Sequence, residues 1–309
     1  MFSSLNNMPH CYKILNHQCL TIFNAVKNKR SARKPVSLRL LQFAFSKLGP
    51  IFPGYFGKRA YELWFTTHRF KRPVTENTAA DEAERSTINI NGIDVVVWAW
   101  GQGQAVLFMH GWSGRGTQAI HFLQPLIKSG YRVISYDGPA HGETPGKQTS
   151  MLEMADVVLA LNEKYGPFHS TITHSFGGMV LAYASTLGFN TGSAVCICPP
   201  ATIESILDNF QRTLMLPDSV LAAMTDSLYI NYGDDLEKRV STLKNVRTLS
   251  IPALIIHDEK DQDIPWQDGK AVADAWPGAE FKLTHGLGHR RVLRDPTIVM
   301  AVTDFIRNS

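Results

Sequence analysis

The chain has little of what marks several protein classes. Among its 309 residues are only four cysteines, at 11, 19, 196 and 198. No second CxC or CxxC pair completes a structural metal site, so metal binding is not expected from the cysteines. Cys196 and Cys198 lie two apart in an apolar run. On a strand they face the same side and are too constrained for an ordinary disulfide. They are expected as reduced core thiols, which suits a cytoplasmic setting. No apolar run reaches the roughly 18 residues of a membrane-spanning helix. The N-terminus is not expected as a secretory signal either. Lys13, Asn16, His17 and Gln18 break its apolar stretch, and no small-residue cleavage site follows. With 19% charged and 44% hydrophobic residues, the composition excludes general disorder and allows one large core plus an appendage.

Acidic residues are scarce at one end. Residues 1–80 carry 13 Lys or Arg against Glu62 and Glu76, a balance of +11, whereas the remainder carries 18 basic and 25 acidic side chains, −7, giving the overall +4. A nucleic-acid enzyme is expected to carry its positive charge around its site rather than in a leader, so no nucleic-acid partner is expected. Residues 1–35 are basic and weakly periodic. Leu38, Leu41, Phe45 and Leu48 recur at helical spacing before Gly49-Pro50, and a second short helix is expected around Lys58 to Phe65. Two readings fit this leader. One is a basic arm in peripheral contact with an anionic membrane, at its inner face. The other is a pair of helices packed on the main domain with lysines in water, which basic helix faces usually are. Residues 73–86 are polar and read as a linker, so residues 1–86 are expected as an N-terminal extension and linker.

From residue 87 the pattern becomes that of an α/β domain. Thr87–Ile90 and Ile93–Ala99 flank Asn91-Gly92, a hairpin signal. Further strands are expected at Ala105–Met109, Arg132–Tyr136, Ser170–Thr173, Ala194–Cys198, Ala253–His257 and Glu280–Thr284. Helical stretches separate most of them, such as Gln118–Lys128, Leu152–Lys164, Gly177–Thr186 and Gly269–Ala275. This order predicts a doubly wound, mostly parallel sheet of eight strands with helices on both faces. Residues 199–249 contain no good strand but suit amphipathic helices, an insertion too long for an ordinary connection. It is expected as a helical cap.

In such a sheet, ligands meet the carboxyl ends of the strands. After Ser170–Thr173 comes Thr173-His174-Ser175-Phe176-Gly177-Gly178, then a helical run. This matches G-x-S-x-G with Thr in the first place, a sharp strand-to-helix turn that presents a nucleophile. An ordinary helix-capping serine is the plainer alternative. A nucleophilic serine needs a base and an orienting acid. His289 lies between glycines in Gly286-Leu287-Gly288-His289, with His285 as nearest competitor. The acid is expected after Ala253–His257, where Asp258, Asp261 and Asp263 compete. Asp261 fits best, four residues past His257 and four before Pro265, and an acidic surface loop suits Asp258 and Asp263. The strand Ala105–Met109 runs into His110-Gly111-Trp112, so the backbone amides of Trp112 and Phe176 are the expected oxyanion donors.

Taken together, HGW, THSFGG, HDEKDQDIP and GLGHRR, in that order, resemble the α/β-hydrolase superfamily over residues 87–309. The closest flavour is the bacterial esterase and lipase-like group with a short cap. The resemblance implies acyl-enzyme chemistry on a small-molecule ester, without cofactor or metal. The loop Asp137-Gly138-Pro139-Ala140-His141-Gly142 resembles a family loop in which Asp137 is structural. Apolar cap residues such as Phe210, Leu214 and Leu216 are expected to line a pocket for a hydrophobic acyl part. Thioesterase, acyltransferase and C–C bond hydrolase remain open within this reading, and a non-catalytic binding module stands outside it. A haloalkane dehalogenase is disfavoured, since it needs a carboxylate where Ser175 stands.

Overall fold

The computed structural model describes residues 35–309. Its eight strands are β1 (Glu84–Ile90), β2 (Ile93–Trp100), β3 (Gln104–Met109), β4 (Tyr131–Asp137), β5 (Phe168–His174), β6 (Thr191–Ile197), β7 (Ala253–Asp258) and β8 (Ala279–Thr284). They form one sheet in the order β1-β2-β4-β3-β5-β6-β7-β8. β1–β2 and β2–β4 are antiparallel and every other neighbouring pair is parallel. The doubly wound α/β fold expected from the alternation of strands and helices is therefore observed.

Strand periodicity divides the core into two layers. Val95, Val97, Leu107 and Met109 pack on one face, with the helices Met151–Tyr165, Phe176–Thr186 and Trp266–Ala275. Their alternates Val96, Trp98, Val106 and Phe108 pack on the other, with the helices Ile120–Lys128 and Pro296–Asn308. Local signals start these helices where they are needed. Ser150 and Glu153 form a reciprocal capping box, and Asp295 caps the last helix ahead of Pro296.

The chain divides into two compact units, Met1–Trp64 with Phe210–Asn231, and Phe65–Asn209 with Tyr232–Ser309. In the smaller, the leader helices Val36–Phe43 and Pro53–Trp64 pack on chain from the insertion between β6 and β7. The Gln42 amide donates to the Thr213 carbonyl at 2.7 Å, and the Trp64 ring stands edge-on to Phe210 at 5.2 Å. A Cβ on Gly57 would lie 2.6 Å from that of Ala223, so the backbones approach as closely as glycine allows. The leader helices thus pair with the insertion.

Residues 73–86, expected as a linker, hold the helix Val74–Asp81 and the start of β1, and belong to the larger unit. The helix is anchored by polar groups, which its hydrophobic pattern could not signal. Buried Glu76 accepts from Arg115 through both oxygens, at 2.6 and 2.9 Å, and from Thr117 at 2.8 Å. Cys196 and Cys198 are the core thiols expected and depart only from the expected shared side. Both are free and buried, but they belong to opposite core layers. β6 ends at Ile197, and Cys198 takes a left-handed φ of 53° that breaks the alternation. Cys11 and Cys19 lie outside the described residues.

Candidate active site

Ser175 sits between β5 and the helix Phe176–Thr186 with φ 53° and ψ −122°, a region sparsely populated by residues other than glycine. Two hydrogen bonds hold this turn. The Ser175 amide donates to the Ile197 carbonyl at 2.8 Å, and the Gly178 amide donates to the Ser175 carbonyl at 2.9 Å. Neighbouring chain crowds the turn. A Cβ on Gly177 would stand 2.6 Å from the Met109 carbonyl oxygen, and one on Gly111 would stand 3.0 Å from the Ser175 Cβ. Thr173, in place of the glycine of the motif, is buried and turns its hydroxyl toward the Val195 carbonyl at 3.4 Å. The Phe176 amide opens the helix, where N–H groups have no intrahelical partner. The Trp112 ring packs edge-on against Phe176 at 5.2 Å, so the two expected amide donors belong to adjoining residues.

His289 lies in the short helix Gly288–Arg291, and its Nδ1 meets Asp261 Oδ2 at 2.6 Å. The other Asp261 oxygen accepts the Asp263 and Ile264 amides at 2.9 and 3.0 Å. His257 Nε2 approaches Asp261 Oδ2 at 3.3 Å, and both side chains are fully buried. Burial pushes the Asp261 pKa up, but the hydrogen bonds from His257 and His289 outweigh it and leave the group well below the usual carboxylate range. Cys198 also bonds to Asp261. Burial first, and then that carboxylate, raise its thiol well above the ordinary value, so it stays protonated and donates. His289 is tied back to the serine turn. His174 Nε2 donates to the His289 carbonyl at 2.8 Å, and the two rings lie 4.8 Å apart. Burial and the neighbouring His289 lower His174 to about 3, so it is neutral in this role. The structure therefore gathers Gly111, Ser175, His289 and Asp261 through a short chain of contacts.

Asp258 differs from its expected place in a surface loop. Fully buried at the end of β7, its carboxylate accepts from the amides of Lys260 (2.9 Å), Leu287 (2.9 Å) and Gly288 (2.7 Å) and from the Thr284 hydroxyl (2.8 Å). It pins both the Asp261 loop and the His289 loop. Burial raises its pKa, and those donors more than reverse the shift. His285 instead projects outward and pairs with Glu259 at 3.0 Å. The HGW loop is fastened by two further histidines. The Gly138 amide donates to His110 Nε2 at 3.0 Å and the Ser113 amide to His141 Nε2 at 2.9 Å. Burial lowers the pKa of both rings, consistent with neutral acceptors. Asp137 accepts the Gly116 and Glu143 amides and plays a structural part.

A family model described as the Alpha/beta hydrolase family matches residues 106–302. The chain belongs to this family. This alpha/beta hydrolase is 25% identical over 255 residues to a non-heme chloroperoxidase of Kitasatospora aureofaciens, a match covering 64% of this chain and 90% of that protein. It is 32% identical over 160 residues to an epoxide hydrolase of Siraitia grosvenorii, covering 50% of this chain and 46% of that one. With a lysophosphatidylserine lipase of Danio rerio it shares 22% identity, over 65% of this chain and 58% of the lipase. The matched region thus spans about half the length of the latter two relatives. Among solved structures, a bromoperoxidase from Bacillus anthracis shares the fold with a TM-score of 0.56 at 20% identity, covering 74% of this chain and all of that one. An esterase from Exiguobacterium antarcticum does so with 0.57 at 16%, covering 72% and 98%.

Two side chains of this alpha/beta hydrolase's site, His257 and His174, carried no role in the sequence, and a third, Asp258, stood there only as a competitor of Asp261. Asp258 and His174 bond to the distant Leu287, Gly288 and His289, so local pattern carries little trace of their parts. His257 reaches Asp261 only four positions on, and His174 adjoins Ser175, so both had a local signal. One trio of potential metal donors, Cys198, Asp261 and His289, has its ligating atoms within 4.8 Å of one another. Two of the three are already joined by the 2.6 Å bond between His289 and Asp261. Phe210, Leu214 and Leu216, expected to line an acyl pocket, are buried, and Phe210 has Trp64 as its aromatic partner. A separate cleft of about 490 Å³, edged by Gln104, Arg132, Lys164 and His169, opens at the amino ends of β3, β4 and β5, at the opposite ends of the strands from Ser175.

Proposed function

We propose that this alpha/beta hydrolase is a serine hydrolase that cleaves a carboxylic ester, or a related acyl compound, through an acyl-enzyme on Ser175. The observation that carries this reading is the 2.6 Å His289–Asp261 pair, tied through His174 to the strained turn at Ser175. In this reading His289 takes the hydroxyl proton as Ser175 Oγ attacks the acyl carbon. Asp261, ionised far below neutral pH, holds the imidazole with Nδ1 protonated and stabilises the imidazolium that forms. The Trp112 and Phe176 amides bind the oxyanion. His289 then protonates the departing alcohol, and a water it activates returns the acid and frees the serine. No step requires a metal or cofactor. A long-chain ester partitions into lipid, so peripheral contact with the inner membrane face accompanies a hydrophobic acyl substrate.

The test is hydrolysis of p-nitrophenyl esters of graded chain length by the parent and by Ser175→Ala. Loss of the nucleophile should lower kcat by about 10³-fold or more. A Ser175→Ala variant as active as the parent would refute the reading. A second reading keeps the same intermediate but passes the acyl group to an acceptor other than water. It is favoured by the match to a chloroperoxidase over 90% of that protein's length. Here hydrogen peroxide would attack the acyl-enzyme carbonyl, releasing a peracid and the free serine. Peracid formation that depends on Ser175 and outpaces hydrolysis would support it. The same ester assays with a thioester panel distinguish a thioesterase.

A further inference from the structure

The smaller unit carries apolar surface that its own packing does not need. Among the described residues, nine of the twelve large apolar side chains that stand exposed belong to it. Val36, Leu40 and Phe43 follow one another at helical spacing, opposite the buried Leu38, Leu41 and Gln42, so the first helix is apolar on both sides. A helix apolar all round is expected where both sides are covered. The exposed series continues through Leu48, Ile51 and Phe52, and Ile51 and Phe52 are 65% and 59% exposed.

Charge indicates the covering partner. Among the described residues the smaller unit has five Lys or Arg, at 39, 47, 58, 59 and 212, against three Asp or Glu, a balance of +2, while the larger has 20 against 24, a balance of −4. Arg39, Lys47 and Lys58 are exposed among the apolar side chains. Aliphatic and phenyl groups interspersed with lysine and arginine suit an interface between acyl chains and anionic headgroups. A second copy would bring two such positive faces together. We infer that residues 36–58 dock the smaller unit on an anionic lipid surface, with Phe43, Ile51 and Phe52 entering the acyl boundary and Arg39, Lys47 and Lys58 meeting the headgroups. No described helix is long and apolar enough to cross a membrane, so the contact is peripheral.

This inference locates the membrane contact suggested by a hydrophobic ester but does not depend on the serine chemistry. Its test is co-sedimentation of the full chain with vesicles of phosphatidylcholine alone and of phosphatidylcholine mixed equally with phosphatidylglycerol. The parent and Ser175→Ala should bind the anionic vesicles equally, and binding should weaken with salt. Joint Ile51→Ser and Phe52→Ser substitution should reduce partitioning at least tenfold. Joint Lys47→Ala and Lys58→Ala substitution should remove much of the preference for the anionic vesicles. Both double variants should hydrolyse a short soluble ester like the parent, which shows that they fold. A parent that stays in the supernatant overturns the inference. So does a dimer in size-exclusion chromatography that Ile51→Ser with Phe52→Ser converts to monomer, because the face would then belong to a second copy.

Discussion

Asp258→Asn separates a surface acid from one that holds the site. The Asp258 carboxylate accepts four hydrogen bonds, two at each oxygen: Thr284 and Leu287 on one, Lys260 and Gly288 on the other. Asparagine keeps one acceptor and turns an NH2 group toward the other pair of donors. Two buried donors lose their partner, at about 1–3 kcal/mol each, so the variant should lose about 2–6 kcal/mol of stability. Displacement of the His289 loop should also lower kcat by roughly tenfold to a hundredfold. Urea unfolding and ester hydrolysis at neutral pH read both effects. Asp263→Asn, in the same loop, should change stability by less than about 1 kcal/mol. The pH dependence carries the same signature. The folded Asp258 pKa lies below its ordinary value, so its contribution is complete above the unfolded value of about 3.9 and disappears as pH falls through the folded one. The parent's urea midpoint should fall between about pH 5 and pH 3, and the fall should be smaller in Asp258→Asn. An Asn variant as stable and active as the parent refutes the reasoning.

Other perturbations probe separate links. Arg115→Ala strands the buried Glu76 carboxylate, and a loss of about 3–5 kcal/mol is expected in thermal or urea unfolding; a change under about 1 kcal/mol would contradict a structural role for the helix Val74–Asp81. Gly177→Ala drives a methyl group against the Met109 carbonyl, and overpacking should cost about 1–3 kcal/mol with reduced kcat. His257→Leu removes one donor from Asp261 and concentrates its charge on His289. The acid limb of kcat/KM should then move to higher pH, and an unmoved limb would show that His257 only fills space.

Most of the sheet is legible in the sequence because parallel strands buried on both faces read as short apolar runs between helical stretches. The placement of Ser175, Asp261 and His289 rests on turn chemistry: a serine between a strand and Gly-Gly, an acid past a strand end, a histidine between glycines. Contacts between distant segments leave no such trace. Gln42 and Thr213 are 171 positions apart, so the pairing of leader and insertion has no local pattern. Asp258 looks like its acidic neighbours until Leu287 and Gly288 are seen to bond it. The helix Val74–Asp81 is hidden because an ion pair anchors it, and Cys198 because one positive φ reverses its side.

The central claim is that Ser175 carries the acyl group. Acid-quenching the enzyme during turnover of p-nitrophenyl acetate and sequencing its peptides by mass spectrometry tests this directly. The account predicts one added acetyl group on Ser175, absent from Ser175→Ala and accumulating in His289→Ala only slowly. Turnover with no acetylated peptide, or with the label on another residue, would contradict it.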